Sequence, residues 1–438
     1  MKKTILTLLA IAVGVSGYAQ IDVIGKVKDA TINRADERTD EGIDEGLNKT
    51  EEGIKSLFKK KKKPEKTTDE ADKKPDEANT NSSKNSSITS TPKQEDLKSY
   101  SKFDFVSGDK VIYFEDFSQG AVGDFPAKWN TNASGEIVTI GSGTAKWLKI
   151  INDGQYKPEI KTTGFPDNYT IEFDLIFKSP TSFDMGNDQQ IVRIDIYNSP
   201  SEKILQADGN NGGSGIGSRF GMQAGGFYEA LNWKDNSPEM NNTQNKKIFT
   251  NNKITHISIW IQKQRGRLYV DETKVFDLPF FIPPAANCNA ISFLNAYLQG
   301  ENDEILLSNI RIAIGAPDMR SKLITDGKLV TRGITFDVNS DKIKSESYGT
   351  LKEISKVLTE NPTVKVKIVG HTDSDGADAA NLELSKKRAV AIKNSLTKDF
   401  SIDASRMETD GRGESEPSSP NTTSEGKANN RRVEFIKL

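Results

Sequence analysis

The sequence predicts a multidomain chain. An all-β jelly-roll sandwich is expected over residues 103–316 and an α+β domain of order βαβαββ over 320–438, preceded by a helical and then disordered N-terminal region. Three observations lead there. All four tryptophans, Trp129, Trp147, Trp233 and Trp260, fall in the first of these segments. Strand-like alternation recurs there in "YTIEFDLIF", "QQIVRIDIYN", "ITHISIWIQ", "GRLYVDETKVFDL", "AISFLNAYL" and "ILLSNIRIAIG", between turn-rich stretches such as "ADGNNGGSGIGSRFG". Beyond residue 320 the pattern changes to strand-length apolar runs alternating with helical ones.

The N-terminus, "MKKTILTLLAIAVGVSGYAQ", has the parts of a secretory signal peptide: Lys2 and Lys3, an apolar run over 5–15, and small residues Gly17 and Ala19 before a cleavage point. The apolar run is too short to cross a bilayer comfortably. No cysteine follows it, so a lipoprotein anchor is not expected. A signal peptide over 1–19 and an exported protein follow. Residues 20–58 carry Ile43, Leu47, Ile54 and Leu57 at helical spacings amid acidic and basic residues, a charged amphipathic helix with a short heptad seam. Residues 59–102 hold almost no large apolar side chain, so nothing offsets the entropy of ordering, and a disordered linker is expected. Its run Lys59 to Lys63 is read as solvated, with contact to anionic glycan or lipid headgroups as the alternative.

In the last segment "RGITFDV" reads as a strand. "DKIKSESYGTLKEISKVLTENP" reads as a helix burying Ile343, Tyr348, Leu351, Ile354 and Leu358 and ending before Pro362. "TVKVKIVG" is a second strand with Val364, Val366 and Ile368 inward, and "AANLELSKKRAVAIKNSLTKDF" a second helix. "RMETDG" and "RRVEFIKL" supply two more strands, with the helices packed on one face of a small sheet.

Charge and cysteine usage exclude several classes. A formal net charge of −2 excludes a strongly cationic nucleic-acid binder. A lone cysteine, Cys288, excludes a disulfide framework and a thiolate metal cluster.

The stretch "GHTDSDGADAANLELSKKRA" holds His371, one of only two histidines. The other, His256, lies in a different segment, and no HxxxH or cysteine pair completes a zinc set. No nucleophile elbow accompanies His371 and Asp373, so the histidine is expected to brace the turn through its backbone. On the following helix Asn381, Leu384 or Ser385, and Arg388 share one face. If the turn folds that helix back over the strand end, Asp373 and Arg388 flank one cleft. A carboxylate and a bidentate guanidinium held apart match an amino-acid zwitterion; a plain surface ion pair is the alternative, and the spacing leaves both open.

That stretch, followed by "DGRGESEP", the Asn421 run "NTTSEG" and "NNRRVEF", closely resembles the outer-membrane protein A C-terminal domain family over roughly 325–438. Peptidoglycan-associated lipoproteins and flagellar stator proteins share this module. The resemblance implies non-covalent binding of the peptidoglycan peptide stem through meso-diaminopimelate, in the periplasm of a Gram-negative envelope. By that likeness Asp373 receives the ammonium, Arg388 receives the carboxylate, and Asn339, Asn381 and Arg431 frame the pocket. Arg412 and Lys427 depart from the family pattern outside this grip. No metal, cofactor or nucleic-acid partner is implied.

For the sandwich, "YFEDFSQGAVGDFPAKW", "GRLYVDETKVFDLP" and "LLSNIRIA" resemble the concanavalin-like lectin/glucanase sandwich family, in which the first and last strands pair. That resemblance implies a glycan ligand, with an outer-membrane protein as the other partner considered. Glycosidases of this class carry alternating acids on one strand. Glu172 and Asp174 share a face here, but the further glutamate is missing, so a solvated strand face is expected instead of catalysis. The expected function is a non-catalytic tether to the cell wall. A transmembrane barrel with a wall-binding tail and, behind it, a wall-anchored glycan hydrolase are the alternatives.

Overall fold

The computed structural model describes residues 103–151, 154–180, 190–201, 215–235, 237–296, 303–315 and 318–438. The signal peptide, charged helix and linker expected over 1–102 lie outside the described residues.

The first strands are β1 (Lys110–Glu115), β2 (Trp129–Thr131), β3 (Gly135–Thr139), β4 (Lys146–Ile150), β5 (Gln155–Pro158), β6 (Asn168–Lys178) and β7 (Ile191–Tyr197). They continue as β8 (Ile216–Gln223), β9 (Phe227–Lys234), β10 (Ser237–Asn245), β11 (Thr255–Gln262), β12 (Arg265–Val270), β13 (Thr273–Leu278), β14 (Ala290–Ala296) and β15 (Glu304–Ile314). Among the described residues they pair into two separate sheets and not one closed cylinder. One runs β13-β12-β11-β6-β15-β4-β3 with β1 also on β15; the other runs β10-β9-β8-β7-β14-β5-β2. First and last strands do pair, antiparallel, Lys110 opposite Ile314.

Period-two alternation sends Ile171, Phe173 and Leu175 of β6 and Ile257, Ile259 and Ile261 of β11 into one core with Val192, Ile194 and Ile196 of β7. Each is fully buried, and a buried side chain of that size contributes about 1.5–3 kcal/mol. Strand β6 is buried on its other face as well, along nearly its whole length.

Part of that second face, at Glu172 and Asp174, lies against the C-terminal module, which is built from β16 (Lys328–Thr331), α1 (Tyr348–Glu360), β17 (Val366–His371), α2 (Asp378–Phe400), β18 (Met407–Gly413), α3 (Ser424–Asn430) and β19 (Val433–Lys437). Its sheet runs β16-β19-β17-β18, with β17 and β18 parallel. Leu351, Ile354 and Leu358 of α1 and Ala389, Ile392 and Leu396 of α2 pack on Val366, Ile368 and Phe435.

Two expectations are corrected. The order is βαβαβαβ, because the seven-residue α3 stands between the last two strands. And "RGITFDV" is not a strand: β16 precedes it, and its backbone bonds instead to 342–347, through Asp337 N to Lys342 O at 3.0 Å and Lys344 N to Thr335 O at 3.0 Å. Ile343 accordingly sits in this loop, bridged to Phe336, and not on α1.

The sandwich and the module are joined by specific contacts. Asn429 of α3 donates to Val111 O at 2.8 Å and accepts from Val111 N at 3.1 Å, so its amide extends the edge of β1. Arg332 Nη1 donates to Asp109 O at 2.6 Å. Val106, upstream of β1, belongs to the module's core and not the sandwich's.

Candidate functional site

A cleft of about 370 Å³ opens where the carboxyl end of β17 and the start of α2 meet the outer face of the larger sheet. Close packing sets its floor. A Cβ on Gly370 would run into the Ser385 carbonyl, so the absence of one lets α2 lie directly on the strand. The register between β17 and β18 shifts after Gly370, and the strand ends at His371, bringing His371, Thr372 and Asp373 to the cleft.

All five residues expected at the grip line this cleft: Asn339, Asp373, Asn381, Arg388 and Arg431. Their pairing differs from a simple Asp373–Arg388 arrangement. Asp373 is buried and ion-paired to Arg431 Nη1, while its Oδ1 accepts from Asp375 N at 3.2 Å. Arg388 stands apart: Nε donates to Ser340 O at 2.9 Å, and the guanidinium lies 4.8 Å from the Phe336 ring centre. Burial first, and then repulsion from Arg431, lower the Arg388 pKa; Asp373 and Asp341 oppose this. Asn381 is a strut, donating to Glu414 Oε2 at 2.6 Å and Asp375 O at 3.1 Å. Asn339 sits exposed on the rim with φ +53°, a left-handed conformation that asparagine tolerates.

His371 corrects an expectation. Its ring is fully buried and makes no hydrogen bond to the turn; instead Nε2 lies 3.6 Å from Glu434 Oε1. Burial alone would raise the Glu434 pKa, but His371, Lys328 and Arg432 together hold it well below the usual carboxylate range. The ring sits beside a charged neighbour on β19 and does not bond the backbone of the turn.

The opposite wall comes from the sandwich. Glu172 and Asp174 of β6, His256 of β11, and Asn309 and Arg311 of β15 line the same cleft. Strand register puts His256 opposite Asp174, and its Nδ1 lies 2.7 Å from Asp174 Oδ1. Asn309, at a bulge with φ +53°, donates to Asp174 Oδ2 at 2.7 Å. Arg311 and Ser107 both hydrogen-bond Glu172. Burial would raise both carboxyls, yet Arg311, His256 and Ser107 bring Glu172 down to about 2, and His256 brings Asp174 down too. His256 itself, despite burial, is raised to about 10 by the same two carboxylates. The solvated strand face expected for Glu172 and Asp174 is therefore a buried ion network; the module covers it.

Residues 335–431 match the model of the OmpA family. They form an OmpA family domain. Among curated relatives, outer membrane porin F of Pseudomonas aeruginosa is 39% identical over 101 residues, 23% of this chain and 29% of the porin. The chain spans well under two thirds of the first relatives it matches, 29%, 58% and 31% of their lengths. Among solved structures, the peptidoglycan-associated lipoprotein from Burkholderia pseudomallei is 26% identical, with a TM-score of 0.23, covering 24% of this chain and 88% of that one. The carbohydrate-binding module CBM66 from Bacillus subtilis is 14% identical, with a TM-score of 0.29, covering 42% of this chain and 95% of the module.

No pattern in the sequence places the sandwich side chains at the OmpA domain's cleft. One signal was present: His256, Ser258 and Trp260 alternate with the core isoleucines of β11 and so share its outer face. Nothing in that alternation says what covers the face.

Proposed function

We propose that this chain is a non-catalytic peptidoglycan-binding protein of the bacterial envelope, exported to the periplasm, whose OmpA domain grips meso-diaminopimelate of the peptide stem. The observation that carries the proposal is the alternation of charge in one cleft, Arg388, Asp373 and Arg431, inside the segment that matches the OmpA family. Arg388 keeps its guanidinium over the Phe336 ring and uses only Nε internally, which leaves its terminal nitrogens for a carboxylate. Asp373 is acceptor-only when ionised, so an incoming ammonium shares it with Arg431. Asn381 and Asn339 hold and frame the turn around it. The sandwich is the second arm of the tether, toward a glycan or an outer-membrane protein.

Catalysis by Glu172 and Asp174 is disfavoured on chemical grounds. Retaining or inverting glycoside hydrolysis needs one carboxyl with a raised pKa as general acid, and both of these are lowered.

The full chain should sediment with purified sacculi. Asp373→Ala and Arg388→Ala should each abolish that, the loss of a charge-assisted contact corresponding to about tenfold or more in affinity, while near-UV circular dichroism stays unchanged. Undiminished binding by both variants would sink the assignment.

A further inference from the structure

The diaminopimelate grip leaves a group of arginines at the deep side of the cleft unexplained. Arg311 of the sandwich and Arg432 of the OmpA domain both line it and are only 8% and 6% exposed. Each spends part of its guanidinium on a carboxylate: Arg311 Nη1 on Glu172, Arg432 Nε on Glu434 at 3.0 Å. Each then has a terminal nitrogen, Arg311 Nη2 and Arg432 Nη1, that is buried without any hydrogen-bond partner. Thr372 Oγ1, on the same wall, is likewise buried and unpartnered. A third guanidinium, Arg332, bonds to neutral oxygens, Asn429 O at 3.0 Å and Asp109 O at 2.6 Å. Burial, then Arg432 and Arg311, lower its pKa to about 10, so both lie near enough to act on Arg332, which remains charged at neutral pH.

A buried donor left unsatisfied is costly, and more so when it is charged. A water molecule can satisfy one orphan donor. An anion with two acceptor oxygens can take both, and a guanidinium edge is shaped for a carboxylate. Since Arg311 comes from β15 of the sandwich and Arg432 from the OmpA domain, neither part alone makes the site.

We infer that Arg311 and Arg432, with Thr372, form a second subsite that takes a carboxylate of the same peptide, beyond the diaminopimelate zwitterion. This rests on the peptide-binding proposal above and adds to it: the ligand is a peptide with a further free carboxylate, read jointly by both domains. The sandwich then acts in recognition as well as in tethering.

The test compares two synthetic meso-diaminopimelate peptides by calorimetry on the full chain, one with a second free carboxylate in the neighbouring residue and one with that carboxylate amidated. The wild-type protein should prefer the acid by about tenfold or more, as for a charged hydrogen-bonded pair. Arg311→Lys keeps the charge facing Glu172 but lacks the second terminal nitrogen, and it should erase most of that preference. Equal wild-type affinity for both peptides would overturn the subsite and leave the grip standing; this comparison needs no variant to fold. An acid preference that persists undiminished in a folded Arg311→Lys protein would also overturn it. If neither peptide binds, the peptidoglycan proposal fails, and the subsite with it.

Discussion

His256 is held in the charged form by two carboxylates that burial alone would have neutralised, and stability must therefore depend on pH through this one ring. Its folded pKa of about 10 lies above the ordinary value of 6.5. A raised histidine stabilises fully below its unfolded pKa, and the contribution is lost as pH climbs through the folded one. Glu172 behaves in the opposite sense: its contribution is present above 4.5 and is lost as pH falls toward about 2. Urea unfolding of the full chain should thus weaken between about pH 6.5 and 10 by a few kcal/mol. The His256→Gln protein, already less stable, should lose much less over that window, and parallel curves for the two proteins would contradict the network. At this scale the shared lining was legible. Asp373, Asn381 and Arg388 stand at spacings that a strand, a turn and a helix can bring together, and all three line the cleft. The Asp373–Arg431 ion pair was not, since 58 residues separate the partners and no local pattern links them. The burial of Glu172 and Asp174 was hidden for a similar reason: alternation assigns a face and not its cover.

Among the elements, α3 is short enough that its cap matters more than its packing. Thr423 Oγ1 accepts from Gly426 N at 3.0 Å, and Glu425 stands in the first turn, where the helix dipole favours negative charge. Thr423→Ala should cost about 1 kcal/mol, measurable as a lower midpoint in denaturant. Because α3 holds Asn429 against Val111, its fraying should also raise amide exchange at Val111; protection there unchanged by the substitution would detach the helix from that role. The α3 helix escaped the sequence because "SEGKANN" offers no apolar periodicity, and its buried residues are Gly426, Ala428, Asn429 and Asn430. Longer elements with real periodicity were readable: Leu351, Ile354 and Leu358 do face the core, and α1 ends at Glu360 ahead of Pro362. "RGITFDV" misleads because Ile334, Phe336 and Val338 alternate as a strand would. Ile334 packs in the core, Phe336 lies beneath Arg388, and Val338 is 86% exposed, so the alternation serves a loop at the cleft.

For the whole molecule, what matters is how the sandwich and the OmpA domain share residues 103–111. Phe103 and Phe105 pack on Tyr269 of β12, with ring centres 5.5 and 5.6 Å away. The next residue, Val106, enters the OmpA domain's core beside Leu323 and Leu329. Helix α1 is pressed onto this strap at Gly349, where a Cβ would collide with the Phe105 carbonyl. Separate domains joined by a linker unfold separately, whereas an interface whose core residues are exchanged across it couples the two transitions. Residues 103–438 should accordingly unfold by heat in a single calorimetric transition. Gly349→Ala must push the strap off α1, since neither the carbonyl nor the helix backbone is a flexible side-chain end. It should lower that transition, or split it into two, by disturbing the contact between the strap and α1. Two transitions in the wild-type protein would mean the domains move independently. In that case the sandwich would be free to leave the cleft, and Arg311 could not be a fixed part of the wall that reads the peptide.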